Sequence, residues 1–304
     1  MKAVVLRAYG GVEQLSYEDV EKPKPAVGEV LVRIAAASVN PIDWKLRSGA
    51  MRSMFPLNFP AVLGRDMAGE IVELGHGVSG FAIGQRVMAL TNRTYADYAV
   101  VNASDLALVP DSLGFEEAAA LPLVTLTGAQ LIEIGTHAKE GQAVLLTGAV
   151  GSVGRSAAFV AIQHKIQVIA VVRESQMDAG EDLGTVALVA ADDEAGLAMF
   201  QQIDAIADTV GGAIAVGLLK HLRHGGVFAS VVGIPKEVRN YDLHPEQVVV
   251  KPDAERLAEL AQAVALHQFK IPIAQVMKLS EIQEAHRLGE AGGLGGKIVL
   301  VPGE

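Results

Sequence analysis

The chain has 304 residues and no cysteine, which excludes disulfides, thiol nucleophiles and thiolate metal sites together. Basic residues are in short supply: 25 Lys and Arg stand against 35 Asp and Glu, for a net charge of −10. That balance argues against nucleic acid or an anionic membrane as the main partner. No uncharged run reaches the roughly 18 residues of a spanning helix. Ala118–Ile132 comes nearest, and it carries Pro122, Thr125, Thr127 and Gln130. The opening MKAVVLRAYGG meets Arg7 after too short an apolar run for a secretory leader. A soluble, cytoplasmic protein is the expectation. Ligand spacing is also missing. His221 and His224 form the only close histidine pair, with no acidic third ligand nearby in sequence, so a structural or solvated pair is expected and no metal site.

What is present is glycine, at informative spacing. In AVLLTGAVGSVG, Ala143 to Gly154, an apolar run ends in three glycines set three apart. The run suits a strand buried on both faces. Gly148, Gly151 and Gly154 then allow a tight turn, close approach of backbone to phosphate, and close packing of the next helix. Ser152 to Gln163 keeps Val153, Ala157, Val160 and Ala161 on one helical face, and its free N–H groups would point at a pyrophosphate. The G-x-x-G-x-x-G spacing departs from the commoner G-x-G-x-x-G, but strand before and helix after is the context that supports such a match. The segment Gly148, Ala149, Val150, Gly151, Ser152, Val153 and Gly154 is therefore expected to bind a dinucleotide.

The next apolar run, Val168–Val172, ends in Arg173 and Glu174. A carboxylate at this strand tip accepts bonds from the ribose of NAD, whereas arginine meets the 2′-phosphate of NADP. Val172 stands where the carboxylate is expected and Arg173 follows, so NADPH is favoured. Glu174, about 20 residues past the last glycine, keeps an NAD reading open.

The length is comfortable for two domains. Up to about Pro122 the chain reads as β-rich, with short apolar runs at Val30–Ile34, Ala68–Leu74, Arg86–Leu90 and Tyr98–Val101. Phe115–Leu121 and Leu123–Ile134 look helical. From Gln142 strand and helix alternate, which implies a parallel sheet; its strand candidates are Val144–Thr147, Val168–Val172, Val186–Val189, Ala205–Asp208 and Gly226–Gly233. The helix expected near Ser175–Leu183 is interrupted by Gly180. Ala254–Gln268 carries a helical stripe, Ser280 to Gln283 reads as a capping box, and Lys297–Val301 as a last strand. That tail is free either to return to the first domain or to extend the parallel sheet.

These residues resemble the zinc-free quinone oxidoreductase branch of the medium-chain dehydrogenase/reductase superfamily. The likeness runs nearly end to end, through VGEVLVRIAAASVNPIDWKLRSG, PAVLGRDMAGEIVELGHGVSGFAIGQRVMA, TYADYAVV, EEAAALPLVTLTGAQ, TGAVGSVG, DTVGG and GGKIVLVP. It implies an α/β architecture. A GroES-like β-rich catalytic domain is built from 1–122 with 271–304, and 123–270 forms a Rossmann domain with a doubly wound parallel sheet. It also implies NADPH and hydride transfer to quinones or other α,β-unsaturated carbonyls. Metal-dependent relatives carry Cys at Asn40 and Gly-His-Glu at Gly64-Arg65-Asp66, and they have a four-cysteine lobe that is missing here. Pro235–Asp253 looks short for the family, and LVAADDE lacks a tyrosine often found after the third Rossmann strand.

Without zinc a simple ketone is poorly polarised, but a conjugated carbonyl needs only donors for its developing enolate oxygen. Asn40, Asp43 and Lys45 are the candidates: Asn40 as amide donor, Lys45 as positive charge, Asp43 fixing one of them. Asn at the N-cap, Pro at N1 and Asp in the first turn also make an ordinary helix start, and periodicity alone favours the cap; the resemblance reverses that. Lys45 in N-P-x-D-x-K looks like the alkenal and enone reductases, against a plain solvated lysine. Arg65 is set aside as an ion-pair partner for Asp66 or a neighbour. The resemblance adds Thr127, Asp208, Thr209, Val232, Gly233 and Ile234 to the cofactor site. Two readings compete with a quinone or enone reductase: a metal-free enoyl-thioester reductase, and a nucleotide-binding redox sensor with little turnover. An apolar, uncharged fifth strand at Gly226–Gly233 suggests an edge for a homodimer.

Overall fold

The computed structural model describes residues Met1–Gly303. They divide into two units, Met1–Leu123 with Lys251–Glu304, and Val124–Val250.

The first unit begins with eight strands: β1 (Lys2–Leu6), β2 (Leu15–Asp19), β3 (Glu29–Val39), β4 (Ala61–Val62), β5 (Asp66–Leu74), β6 (Arg86–Leu90), β7 (Tyr98–Asn102) and β8 (Ala107–Leu108). A three-stranded sheet takes the order β2-β1-β4, and the remaining strands pair antiparallel around β3 and β5. The long β3, EVLVRIAAASV, is buried at nearly every position in its second half, as suits a strand with neighbours on both edges. Its register sets Ser38 against Asp66, so the end of β3 and the start of β5 lie together. Chain direction reverses immediately into α1 (Pro41–Ser48), started by Pro41 at N1. A second helix, α2 (Phe115–Ala119), follows, and α3 (Pro122–Gln130) carries the chain from the first unit into the second.

The second unit is a parallel sheet of β9 (Ala143–Thr147), β10 (Gln167–Val172), β11 (Ala187–Ala190), β12 (Ile203–Asp208), β13 (Leu222–Ser230) and β14 (Leu243–Gln247). Its order is β11-β10-β9-β12-β13-β14, the doubly wound arrangement whose switch point lies between β9 and β12. The connecting helices include α4 (Ser152–Gln163), α5 (Met177–Gly180), α6 (Glu194–Ala198) and α7 (Gly212–Leu218). α4 buries Ala157, Val160 and Ala161 as its spacing predicts. The Gly180 region breaks into short turns either side of a four-residue helix. β13 is not an edge. The short segment after Pro235 makes one 3₁₀ turn and returns as β14, paired parallel with β13, so β14 takes the edge that the apolar β13 was expected to provide.

The chain then re-enters the first unit through α8 (Ala254–Ala265), β15 (Ile273–Lys278), α9 (Ile282–Ala291) and β16 (Lys297–Val301). β16 pairs antiparallel with β3, Ile298 opposite Val39 and Leu300 opposite Ala37, which answers where the tail goes. α8 packs on β8, so this return starts at Lys251 rather than at 271. The start of α9 also differs from expectation. Glu281 accepts from the Lys278 backbone N–H at 2.8 Å and a 3₁₀ turn precedes the helix, while Gln283 donates instead to Leu15 O at 2.9 Å. Val30, Val32, Ile34, Leu46, Met67, Ile71, Tyr95, Ile282 and Leu300 form the core of this unit.

Candidate active site

In the second unit the expected cofactor residues gather at the C-terminal ends of β9, β10, β12 and β13, where open α/β sheets bind ligands. Gly148 ends β9 at φ +63°, and a Cβ there would lie 2.5 Å from Thr209 Oγ1. A Cβ on Gly154 would lie 2.2 Å from Gly148 O, so α4 packs directly on the turn. Gly151 differs: its Cβ would meet only Gly148 O, at 3.2 Å, leaving the N-cap of α4 open to an approaching group. The three glycines thus divide the roles as their spacing predicts, and the cradle fits a dinucleotide phosphate. Ser152 and Val153 open α4, Ala149 is buried, and Thr127 is buried on α3. Arg155, which sequence reasoning missed, accepts the role of brace: it donates to Val150 O, Ala179 O and Asp182.

The Asp208 carboxylate is taken up within the sheet. Fully buried, it accepts from Thr147 Oγ1 (2.8 Å), Ser230 Oγ (2.8 Å), Gly211 N (2.9 Å) and Val210 N (3.2 Å). Thr209 donates to Thr147 O at 2.7 Å, and Ser230 Oγ accepts the N–H groups of Val232 and Gly233, both at 3.1 Å. Val232, Gly233 and Ile234 are therefore held by Ser230. Thr147 and Ser230 carry a readable signal: each is the polar last residue of an apolar strand. Arg173 follows the buried Val172, is exposed, and its guanidinium makes no hydrogen bond or ion pair among the described residues.

The first unit holds a different arrangement. Asn40 is the N-cap of α1 by position, yet its side chain turns away from the helix. Its amide nitrogen donates to Asp66 Oδ2 at 2.7 Å, and its amide oxygen accepts from Lys297 Nζ. Asp66 also accepts from Ser38 Oγ (2.6 Å) and Leu123 N (2.7 Å), and Lys297 Nζ donates to Val39 O at 3.0 Å while lying 3.7 Å from Asp66. Burial pushes Lys297 below the ordinary lysine range against the pull of Asp66 and Asp43. Asp43 accepts the Asn40 backbone N–H at 2.8 Å and the Tyr95 hydroxyl at 2.7 Å, and its other oxygen is buried without a partner. Burial raises Asp43 to about 6 despite those two donors. Burial and then Asp43 raise Tyr95 well above its usual range. Asp43 thus fixes Asn40 and not Lys45. The Lys45 ammonium, half-buried on α1, makes no hydrogen bond or ion pair among the described residues. Sequence reasoning missed Lys297 and the hydroxyl of Tyr95, which nothing local marks as part of this cluster.

The family described as alcohol dehydrogenase GroES-like domain matches residues 26–134, and that described as zinc-binding dehydrogenase matches 188–300. A chloroplast envelope quinone oxidoreductase homolog from Arabidopsis thaliana is 28% identical over 99% of this chain and 98% of its own. A solved quinone oxidoreductase from Coxiella burnetii superposes with a TM-score of 0.89 at 28% identity, covering 99% of both chains. The chain carries these two domains and has the medium-chain dehydrogenase/reductase fold. A chloroplastic quinone-oxidoreductase homolog from Spinacia oleracea is 34% identical over 60% of this chain and 59% of its own. A nicotinamide cofactor, NAD or NADP, belongs to this oxidoreductase. Zinc does not fit the residues present. The Asn40 amide is taken up by Asp66 and Lys297, Arg65 brings a cation, and no group of three His, Cys, Asp or Glu among the described residues is placed to hold a metal.

Proposed function

We propose that this protein is an NADPH-dependent, metal-independent reductase of quinones or α,β-unsaturated carbonyls. The names of its relatives support the reaction class. The observation that carries the cofactor assignment is Arg173. Its guanidinium stands free at the tip of β10, directly after an apolar residue, where a carboxylate would select NAD. The bound cofactor supplies a hydride for the β-carbon of the acceptor. The chain's own part is to hold the acceptor and to stabilise the oxygen on which charge develops. Lys45 is the group for that role, because its ammonium is unpaired. Asn40 and Asp43 act as positioning residues: Asp43 holds the start of α1, and Asn40 ties that start to β5 and β16. Thr127, the glycine turn and Val232 to Ile234 line the cofactor, while Asp208 and Thr209 brace the strand ends. We further propose a homodimer, formed elsewhere than along β13, which β14 covers.

The test is a pair of dissociation constants. The parent is expected to bind NADPH more tightly than NADH, and Arg173→Ala to weaken NADPH alone by roughly 10- to 150-fold, the range of a charge-assisted bond. Equal constants in the parent would leave NADH as the cofactor. A panel of quinones, enones, alkenals and enoyl thioesters, followed by loss of nicotinamide absorbance, separates reductase from sensor: no acceptor-dependent oxidation sinks the enzyme reading.

A further inference from the structure

Arg65 precedes Asp66, and the obvious partner for it is that carboxylate. The structure gives Asp66 to Ser38, Asn40, Leu123 and Lys297 instead. Arg65 is half-buried, its Nε is wholly buried without an acceptor, and its guanidinium makes no hydrogen bond or ion pair among the described residues. The other arginines drawn into the protein are all partnered. Arg47 meets Glu290 and His286, Arg155 meets Asp182, Arg86 donates to Leu113 O, Arg223 pairs with Asp204, and Arg256 with Glu259. This holds in a chain with an excess of carboxylates.

A second observation lies beside it. Gly64, at φ +94°, packs so closely on the Thr91–Tyr95 loop that a Cβ would lie 2.3 Å from Thr94 Oγ1. Thr94 is fully buried and its hydroxyl has no partner. The loop is tied to the Arg65 segment by Thr91 N on Arg65 O at 2.9 Å and Tyr95 N on Leu63 O at 3.1 Å. The backbone carrying Arg65 is thus held rigidly between a packed loop and the Asp66 cluster. A partly desolvated guanidinium with no counter-charge is costly unless a ligand supplies one, and its planar fork matches a carboxylate. The segment adjoins Asn40 through the Ser38–Asp66 pairing, and Lys45, a second half-buried cation with no hydrogen bond or ion pair among the described residues, lies one turn further along α1.

We propose that Arg65 binds a carboxylate carried by the acceptor, so that the preferred substrates are anionic enones or quinones. This rests on the reductase reading above. Lys45 then serves the oxygen that gains charge during reduction, and Arg65 the oxygen pair that is charged throughout.

The experiment uses the full chain with NADPH and two acceptors that differ in one charge, (E)-4-oxopent-2-enoate and its methyl ester. The ratio of kcat/KM for acid over ester is expected to fall by roughly 10- to 150-fold in Arg65→Gln relative to the parent, with Arg65→Lys between them. The parent ratio should also fall as salt is raised, since salt screens the pairing. An unchanged ratio in a folded Arg65→Gln overturns the proposal. If that variant does not fold, a salt-independent ratio in the parent overturns it. If the parent oxidises NADPH with neither acceptor nor a neutral quinone, the reductase reading fails. The site is then judged by calorimetric titration of the 4-oxopentenoate into parent and Arg65→Lys: tighter binding to the parent upholds it, and equal or absent binding overturns it.

Discussion

Asp66 in the first unit and Asp208 in the second are both fully buried at a strand end, and their surroundings differ in kind. Asp208 is ringed by neutral donors, two hydroxyls and two backbone N–H groups. It fixes the shape of three strand ends and leaves their outer backbone free for a ligand. Asp66 has neutral donors too, but a buried ammonium stands 3.7 Å away and a second carboxylate, Asp43, shares the cluster. The second unit thus builds a cradle from dipoles, and the first builds a charged centre from countercharges. A cofactor whose phosphates are always ionised needs fixed N–H dipoles. An acceptor that gains charge during reaction needs cations held in readiness.

The comparison is broken most directly by removing one partner from each cluster. Lys297→Met leaves Asp66, the Asn40 carbonyl and Val39 O without their cation, and uncompensated buried charge costs about 3–5 kcal/mol. Asp208→Asn keeps size and one acceptor among neutral donors, so the loss should be about 1–2 kcal/mol. Urea unfolding of the two variants checks this; equal losses would mean that the two aspartates are held alike.

The pH dependence of stability sharpens it further. His286, fully buried beside Arg47, is held down to about 3, by burial first and Arg47 second. A depressed pKa contributes stability that is present above the unfolded value near 6.5 and lost as pH falls towards 3. Asp43 runs the other way. Raised to about 6, it contributes stability below its unfolded value of 3.8 and loses it as pH rises through 6. Each limb has a slope of up to about 1.4 kcal/mol per pH unit, so the two oppose one another between about pH 4 and 6 and the net profile there is shallow. His286→Gln should remove the acid limb, and Asp43→Asn should steepen the fall below pH 6. The same profile in both variants would place the titration elsewhere.

Legibility in the sequence follows the same division. The cradle is local: strand, glycines and helix lie within Ala143–Gln163, and β9, β12 and β13 are legible because each ends in a polar residue, Thr147, Asp208 and Ser230. What stayed hidden there was β14, whose LHPEQ has neither alternation nor an apolar run. The charged centre is non-local. Its members come from β3, α1, β5, the Tyr95 loop and β16, and Lys297 sits in GGKIVLVP, where nothing nearby marks it as buried. Asn40 shows the limit of pattern: its N-cap position was readable, but not that its amide would serve Asp66 and Lys297. Arg65 is the reverse case, since adjacency suggested an ion pair with Asp66 that the fold does not make.

The smallest effect on the fold, and the finest test of the comparison, is expected at Lys45. If the first unit's cations are divided between those that hold the fold and those kept for the acceptor, Lys297 belongs to the first kind and Lys45 to the second. Lys45→Met keeps most of the aliphatic stem and deletes an ammonium that makes no hydrogen bond or ion pair among the described residues. Unfolding free energy should then change by no more than about 0.5 kcal/mol, as for a surface position. NADPH affinity should hold as well. The single-turnover rate of enone reduction should fall by roughly 10- to 100-fold, because the ammonium acts on charge that develops only on the way to the enolate. Highly electrophilic quinones should lose less, since their reduced forms need less stabilisation. An unchanged enone rate would make Lys45 an idle surface cation and would leave the charged centre with a purely architectural role. A stability loss near that of Lys297→Met would place Lys45 among the groups that hold the fold.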